Sequence, residues 1–258
     1  HIGCYGFWAP EVKYYEGRFY MTYSCYMKDL DRMLTCLAVS EKPGGPFIDL
    51  YTPWFDLGYS AIDADIFVDD DGTPYVYFSK NGMQDTLATG ELYGVKLKKD
   101  LSGLMGEPVF ISGASQTWEK VNWDRNRCNE GAYVFKKNGK YYMTYSANDT
   151  GYEFYGVGVS YADSPLGPWV KSEDNPLLTT DLPKGVSAPG HNSIVEAPNV
   201  ICILFIIAML MCIAKNRIGI EWSVWIDYSS MKKVSYVLMG HLLRYNRFVG
   251  NLNLVLVL

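Results

Sequence analysis

The chain has only three histidines, and none of its six cysteines (Cys4, Cys25, Cys36, Cys128, Cys202 and Cys212) forms a Cys-x-x-Cys pair. Neither a zinc site nor a disulfide framework is indicated, and the thiols are expected to be free. Positive charge is also short. Twenty-three Lys and Arg against 28 Asp and Glu leave a net charge of −5. That balance excludes nucleic acid as a partner, because phosphate binding needs a basic surface. Long apolar runs are scarce too. The longest covers 15 residues, Val200 to Ala214. A bilayer-spanning helix needs roughly 17–25, so a membrane partner is not expected. No initiator Met or signal peptide stands at His1, and the chain is expected to be a piece of a longer protein. Extracellular, periplasmic and cytoplasmic locations all fit such a piece.

Aromatic side chains, by contrast, are plentiful: 21 Tyr, 7 Trp and 11 Phe in 258 residues. They suit strands, and they suit carbohydrate, where flat rings stack on sugar faces. The apolar share of 48% is enough to bury a core in one large β domain or two smaller ones.

The aromatics are concentrated in a repeat. Val12-Lys-Tyr-Tyr-Glu-Gly17-Arg-Phe-Tyr-Met-Thr-Tyr-Ser24 returns as Val134-Phe-Lys-Lys-Asn-Gly139-Lys-Tyr-Tyr-Met-Thr-Tyr-Ser146. Between them lies Phe67-Val-Asp-Asp-Asp-Gly72-Thr-Pro-Tyr-Val-Tyr-Phe-Ser79. The glycines are 55 (72−17) and 67 (139−72) residues apart. Each copy reads as a β-hairpin with a tight turn at Glu16-Gly17, Asp71-Gly72 or Asn138-Gly139. A third strand (Leu37–Ser40, Leu92–Leu97 or Val157–Ser160) and an outer strand complete a four-stranded unit. A strand-rich period near 60 predicts the blades of a β-propeller, in which each blade brings one residue to a shared centre.

A fourth copy opens at Asn192-Ser-Ile-Val-Glu-Ala-Pro198-Asn199 and then gives way to the apolar run, with no Gly-turn hairpin through Leu258. The reading therefore divides the chain into a partial propeller over residues 1–199 and a segment outside the pattern over 200–258. That segment is expected to stem from a shifted reading frame or a misjoined sequence, with an apolar membrane anchor as the alternative.

Two carboxylates stand where inner strands begin: Asp63 in Ala61-Ile-Asp-Ala, and Glu130 in Asn129-Glu-Gly131. In a propeller both would point at the axis. Converging acids are what glycosidic cleavage needs, one to protonate the leaving oxygen and one to activate water. Crowding by a like charge also keeps an acid protonated. The same two residues also fit plain turn caps. Trp8, in Trp8-Ala-Pro-Glu11, fits either a sugar-pocket wall or core. His191, in Gly190-His-Asn-Ser193, takes the axial position of the fourth copy. The run Asp69-Asp70-Asp71 is read as a solvated turn and not as a cation site.

Together, Trp8-Ala-Pro-Glu-Val12, Ala61-Ile-Asp63-Ala with Asp69-Asp-Asp-Gly72, Asn129-Glu130-Gly131, Ser164-Pro-Leu-Gly-Pro-Trp169 and Gly190-His191-Asn-Ser193 resemble glycoside hydrolase family 43, from about Tyr5 to Asn199. The resemblance implies an all-β, five-bladed β-propeller, incomplete here, and an inverting glycosidase for arabinofuranosides or xylosides. Its substrates would be arabinan, arabinoxylan or xylo-oligosaccharides. It assigns Glu130 as general acid and Asp63 as the group that tunes and orients it. Trp8 and His191 would contact substrate. No cofactor is required, although the family's axial His often lies near calcium, which would place such an ion near His191. The general base of the family is an Asp preceding the Trp-Ala-Pro motif. None of the seven residues before Trp8 is acidic, so this chain is expected to be inactive. A non-catalytic carbohydrate-binding propeller is the alternative. A retaining fructan or sucrose hydrolase would carry Arg-Asp-Pro, which is absent.

Overall fold

A computed structural model describes residues 3–184, 186–197, 200–208 and 254–257, with side chains over 3–183 and 186–194. Its strands fall into blades in sequence order. The first blade is β1 (Cys4–Tyr15), β2 (Arg18–Met27), β3 (Arg32–Ser40) and β4 (Ile48–Tyr51). The second is β5 (Ser60–Val68), β6 (Pro74–Gln84), β7 (Leu87–Leu97) and β8 (Leu104–Gly113). The third is β9 (Asn126–Lys137), β10 (Lys140–Ala147), β11 (Gly156–Ala162) and β12 (Val170–Lys171). Neighbours within each blade pair antiparallel. Short parallel contacts, Leu34 with Ala61 and Ala88–Gly90 with Asn126–Cys128, join one blade to the next. The four-stranded units read from the repeat are therefore present.

The fourth unit opens as expected with β13 (Pro189–Ala197). Its partner β14 (Val200–Ala208) is the first part of the apolar run, paired antiparallel, and β15 (Leu254–Val257) lies parallel to β14. Residues 200–208 thus fill the place of the hairpin's second strand. The rest of the 200–258 segment, apart from β15, lies outside the described residues. Among the described residues no helix is long and apolar enough to cross a membrane.

Two hairpin turns are the two-residue kind expected. Glu16 and Gly17 have φ of 50° and 84°, and Asn138 and Gly139 have 51° and 78°. Paired positive φ matches the twist of the flanking strands. The middle hairpin differs. Its ladder closes at Val68–Pro74, around a five-residue loop, 69–73. Pro74 has no N–H to give the ladder, and the Asp69 amide bonds the Thr73 carbonyl instead.

The reading of Asp69 as a solvated turn residue needs correcting. Its carboxylate accepts from Lys136 Nζ at 2.7 Å and from Tyr141 OH at 2.6 Å, tying the second blade to the third. Asp71 does behave as a turn residue, accepting from the Thr73 amide. Cys4, Cys25, Cys36 and Cys128 are free thiols. Cys202 and Cys212 carry no described side chains.

The core lies between blades. Leu37, Trp54, Phe55, Ile66, Val76, Phe78 and Leu97 pack the first blade on the second. Phe67, Tyr77, Leu92, Val134, Met143 and Tyr145 pack the second on the third. Each such side chain contributes roughly 1.5–3 kcal/mol on burial. Tyr77 and Tyr145 are fully buried, and each hydroxyl has an acceptor, Pro165 O at 2.6 Å and Glu119 Oε1 at 2.8 Å.

Candidate active site

One backbone device recurs at the centre. In all four units the ladder between the inner strand and its neighbour slips at the same place. Ser24, Ser79 and Ser146, the last residues of the repeat, stand opposite Trp8, Ile62 and Glu130. The next residue takes a left-handed conformation: Ala9, Asp63, Gly131 and His191 have φ of 47°, 55°, 57° and 46°. Only Gly adopts this region freely, so the other three are strained by about 1–2 kcal/mol each. Neighbouring blades hold two of them. Ser24 Oγ accepts from the Asp63 amide at 3.1 Å, and Ser146 Oγ accepts from the His191 amide at 2.7 Å. The bulge turns the inner strand and re-aims the side chains around it.

Asp63 and Glu130 are therefore not equivalent, contrary to the impression given by sequence. Asp63 is the left-handed residue of its blade, and Glu130 precedes the left-handed residue of the next. Both reach one centre. Asp63 is buried and Glu130 is partly open to solvent. Burial pushes the Asp63 carboxyl well above the usual range. Burial and the neighbouring Asp63 charge push Glu130 up, against a hydrogen bond from Tyr155 OH at 2.7 Å and, when the imidazole is protonated, the field of His191. His191 Nδ1 lies 4.0 Å from Asp63 Oδ2, and Nε2 lies 3.9 Å from Glu11 Oε1. Burial lowers His191, so near pH 7 it is neutral, and these are close approaches without hydrogen bonds. The Gly131 Cα faces the imidazole, where a Cβ would stand 3.2 Å from Nδ1.

Two further carboxylates belong to the cluster. Glu11 is raised to about 8 by burial and by the charges of Asp65 and Asp63. Asp65 is raised to about 6 by burial, opposed by Lys13 and by the Val134 and Ile66 amides. The structure thus brings Asp63, Glu130 and His191 together. It leaves Trp8 exposed, one residue before the first bulge, and not in the core. Among the described residues no group of three or more His, Cys, Asp and Glu side chains is arranged to hold a metal ion.

Carboxylates that hold protons near neutral pH, gathered where propeller blades meet, are the requirement for acid-assisted cleavage of an acetal. The model of glycosyl hydrolases family 43 matches residues 2–206. The chain belongs to that family.

Several similar curated proteins carry arabinofuranosidase or xylosidase names, and one, from Aspergillus niger, is a beta-D-galactofuranosidase xynD, 34% identical over 61% of this chain and 41% of its own length. An alpha-L-arabinofuranosidase 43 from Humicola insolens is 28% identical over 74% of this chain and 40% of its own length. A xylosidase/arabinosidase 43A from the same organism is 32% identical over 63% of this chain and 56% of its own. The chain thus spans about half the length of the curated relatives it matches. Among solved structures, a thermostable family-43 glycoside hydrolase is 44% identical, with a TM-score of 0.71 over 75% of this chain and 62% of that one. The architecture is accordingly an all-β, five-bladed β-propeller represented here by part of its ring.

Sequence reasoning missed Glu11, Asp65 and Tyr155. The first two had a signal. Each stands two residues after its bulge residue, Ala9 or Asp63, so aligning the four strand starts on Asp63 and His191 finds both. Tyr155 had none. It ends the loop between β10 and β11, outside the repeat, and only the folded loop carries it to Glu130.

Proposed function

We propose that this chain carries the acid half of an inverting glycosidase that cleaves O-glycosyl bonds of arabinofuranosides or xylosides in plant polysaccharide. Glu130 is the general acid. It gives its proton to the leaving oxygen as the anomeric C–O bond breaks, while a general base takes a proton from the water that attacks the opposite face. Asp63 keeps Glu130 protonated through its negative field and orients it. His191 and Trp8 contact the sugar, His191 from the fourth blade and Trp8 as an exposed stacking ring. The observation that carries the reading is the meeting of Glu130 and Asp63 at the axis, where burial and the Asp63 charge raise the Glu130 carboxyl. The names of the arabinofuranosidase and xylosidase relatives support pentosides as substrates.

The base is assigned to no residue of the 258, since Glu11 is the first acidic residue and no acid precedes Trp8. The polypeptide of this sequence alone is therefore expected to bind pentosides without turning them over. Robust release of 4-nitrophenol from the α-L-arabinofuranoside or β-D-xyloside by this polypeptide would overturn that expectation. In a protein that also bears the base-carrying blade, Glu130→Gln is expected to lower kcat/KM by about 10²–10⁴ for an oligosaccharide. The loss should be much smaller for an aryl glycoside with an activated leaving group, which departs without a proton. A uniform loss across leaving groups contradicts Glu130 as acid. Binding without hydrolysis in that longer protein would favour a non-catalytic carbohydrate-binding propeller.

A further inference from the structure

Glu130 has two carboxyl oxygens, and only one can deliver a proton to the leaving group. The Tyr155 hydroxyl donates to Oε1 at 2.7 Å. Tyr155 is itself buried, and burial together with the nearby Glu130 charge raises the phenol well above its ordinary range, so it stays a donor. Its ring has a seat made for it. Gly190, the residue before the fourth bulge, lies under the ring, and a Cβ there would meet Tyr155 Cε1 at 1.9 Å. Its hydroxyl also bonds Ser146, whose Oγ accepts the His191 amide at 2.7 Å. The phenol is thus fixed by three separate features: Gly190, Ser146 and the start of β11 at Gly156.

We propose that Tyr155 is the positioning residue of the acid: its hydroxyl occupies Glu130 Oε1 and leaves Oε2 as the oxygen that carries the proton to the glycosidic oxygen. A carboxylic acid with one oxygen saturated by a donor holds its own proton on the other. The rotation of the Glu130 carboxyl, which is otherwise soft about its last torsion, is also stopped. In the reaction, the Oε2–H bond breaks, the proton passes to the leaving oxygen, and the carboxylate that forms keeps the Tyr155 hydrogen bond. That bond strengthens as charge develops on Glu130, so it favours the transition state over the ground state. The other groups facing Glu130 are Asp63 from β5, His191 from β13, Cys128 from its own strand and Asp149 from the β10–β11 loop. Among the described residues none of these hydrogen-bonds its carboxyl. Tyr155 alone opposes the burial of Glu130 through a direct hydrogen bond.

The inference rests on Glu130 being the acid, and the test separates the two. In the 258-residue polypeptide, ¹³C-carboxyl glutamate gives a Glu130 resonance identified by its loss in Glu130→Gln. Tyr155→Phe removes one oxygen from a buried ring and keeps its packing. The Glu130 titration is expected to move to higher pH by roughly one pH unit, because a donor to the charged form is lost. An unmoved titration in a folded variant overturns the proposal. In the protein bearing the base, Tyr155→Phe is expected to lower kcat about ten- to a hundredfold for poor leaving groups, with KM nearly unchanged. The loss should fade to about threefold or less for a 2,4-dinitrophenyl glycoside, where no proton is needed. If Glu130→Gln shows this leaving-group dependence and Tyr155→Phe does not, the acid stands and the positioning role falls. If Glu130→Gln shows none, the acid assignment itself fails.

Discussion

Asn129 and Glu130 are consecutive residues of β9, yet they serve two buried charged centres of opposite design. Asn129 faces the pair of Glu119 and Lys171. There the Glu119 carboxylate, fully buried, accepts from the amides of Ser115 and Gln116 (2.6 and 2.7 Å), from Tyr145 OH (2.8 Å) and from Lys171 Nζ (2.6 and 2.7 Å). Lys171 spends its other protons on Gly113 O and Asn129 Oδ1, both at 2.8 Å. Every strong donor has an acceptor. Glu130 faces the axis, where four carboxylates share one lysine field and a neutral imidazole, and Tyr155 gives Glu130 one hydrogen bond. The first centre saturates its carboxylate with donors, and the second holds protons that can leave. Burial is common to both; the number of hydrogen-bond donors offered to the carboxylate separates a structural ion pair from a reactive site.

The largest expected effect breaks this contrast directly. Lys171→Met leaves Glu119 buried with no counter-charge, and is expected to cost about 3–5 kcal/mol of stability in urea unfolding. Asp63→Asn, at the axis, replaces a carboxyl whose charged form burial already disfavours. Its stability is expected to stay within about 1 kcal/mol of the parent or to rise slightly. Equal losses at the two sites would mean that both centres are structural.

The blades were legible because their hairpins repeat a pattern with physical content: Gly at a positive φ, alternating aromatics, and a closing Ser that follows Thr-Tyr in the first and third copies. The structure adds why Thr and Ser recur. Thr22 Oγ1 bonds Ala64 O, and Thr144 Oγ1 accepts from Asn192 Nδ2, so both residues clasp the next blade. What stayed hidden depended on partners far away in sequence. Asp69 looked solvated because nothing near it announces Lys136, 67 residues on. The Lys171–Glu119 pair, 52 residues apart, has no motif at all. Asp63 and Glu130 were recognisable as axial acids, but their one-residue offset was not, since a bulge is a property of pairing and leaves no fixed trace in one strand.

A middle-sized effect concerns pH. Glu11 at about 8 and Asp65 at about 6 lie above the ordinary carboxylate range, and Asp63 and Glu130 are raised as well. In the window between unfolded and folded values the native state binds more protons than the unfolded chain, so stability falls as pH rises. The contribution is complete below about pH 4 and is lost progressively by about pH 8. Across that window the decline is expected to be on the order of 2 kcal/mol, since these groups are coupled and partly hydrated. Unfolding midpoints at pH 5 and pH 8 measure it. Glu11→Gln should flatten the slope, while a slope unchanged by that variant would remove Glu11 from the proton-holding cluster.

The smallest effect sharpens the contrast at the backbone. Three serines occupy one position of the repeat, but they do not do the same work. Ser24 holds the amide of Asp63 and Ser146 holds that of His191, whereas the buried Ser79 hydroxyl has no hydrogen-bond partner among the described residues. The residue it would serve by analogy is Gly131, which adopts a left-handed φ without strain and needs no restraint. Ser24→Ala and Ser146→Ala are therefore expected to cost about 1–2 kcal/mol each, the value of a buried hydrogen bond whose amide is left unpaired. Ser79→Ala should be neutral or slightly stabilising, because it removes an unsatisfied hydroxyl from the core. Thermal melts of the three variants decide the point. Equal losses would show that the hydroxyls matter for packing, and that strain at the axis is carried by the bulges alone.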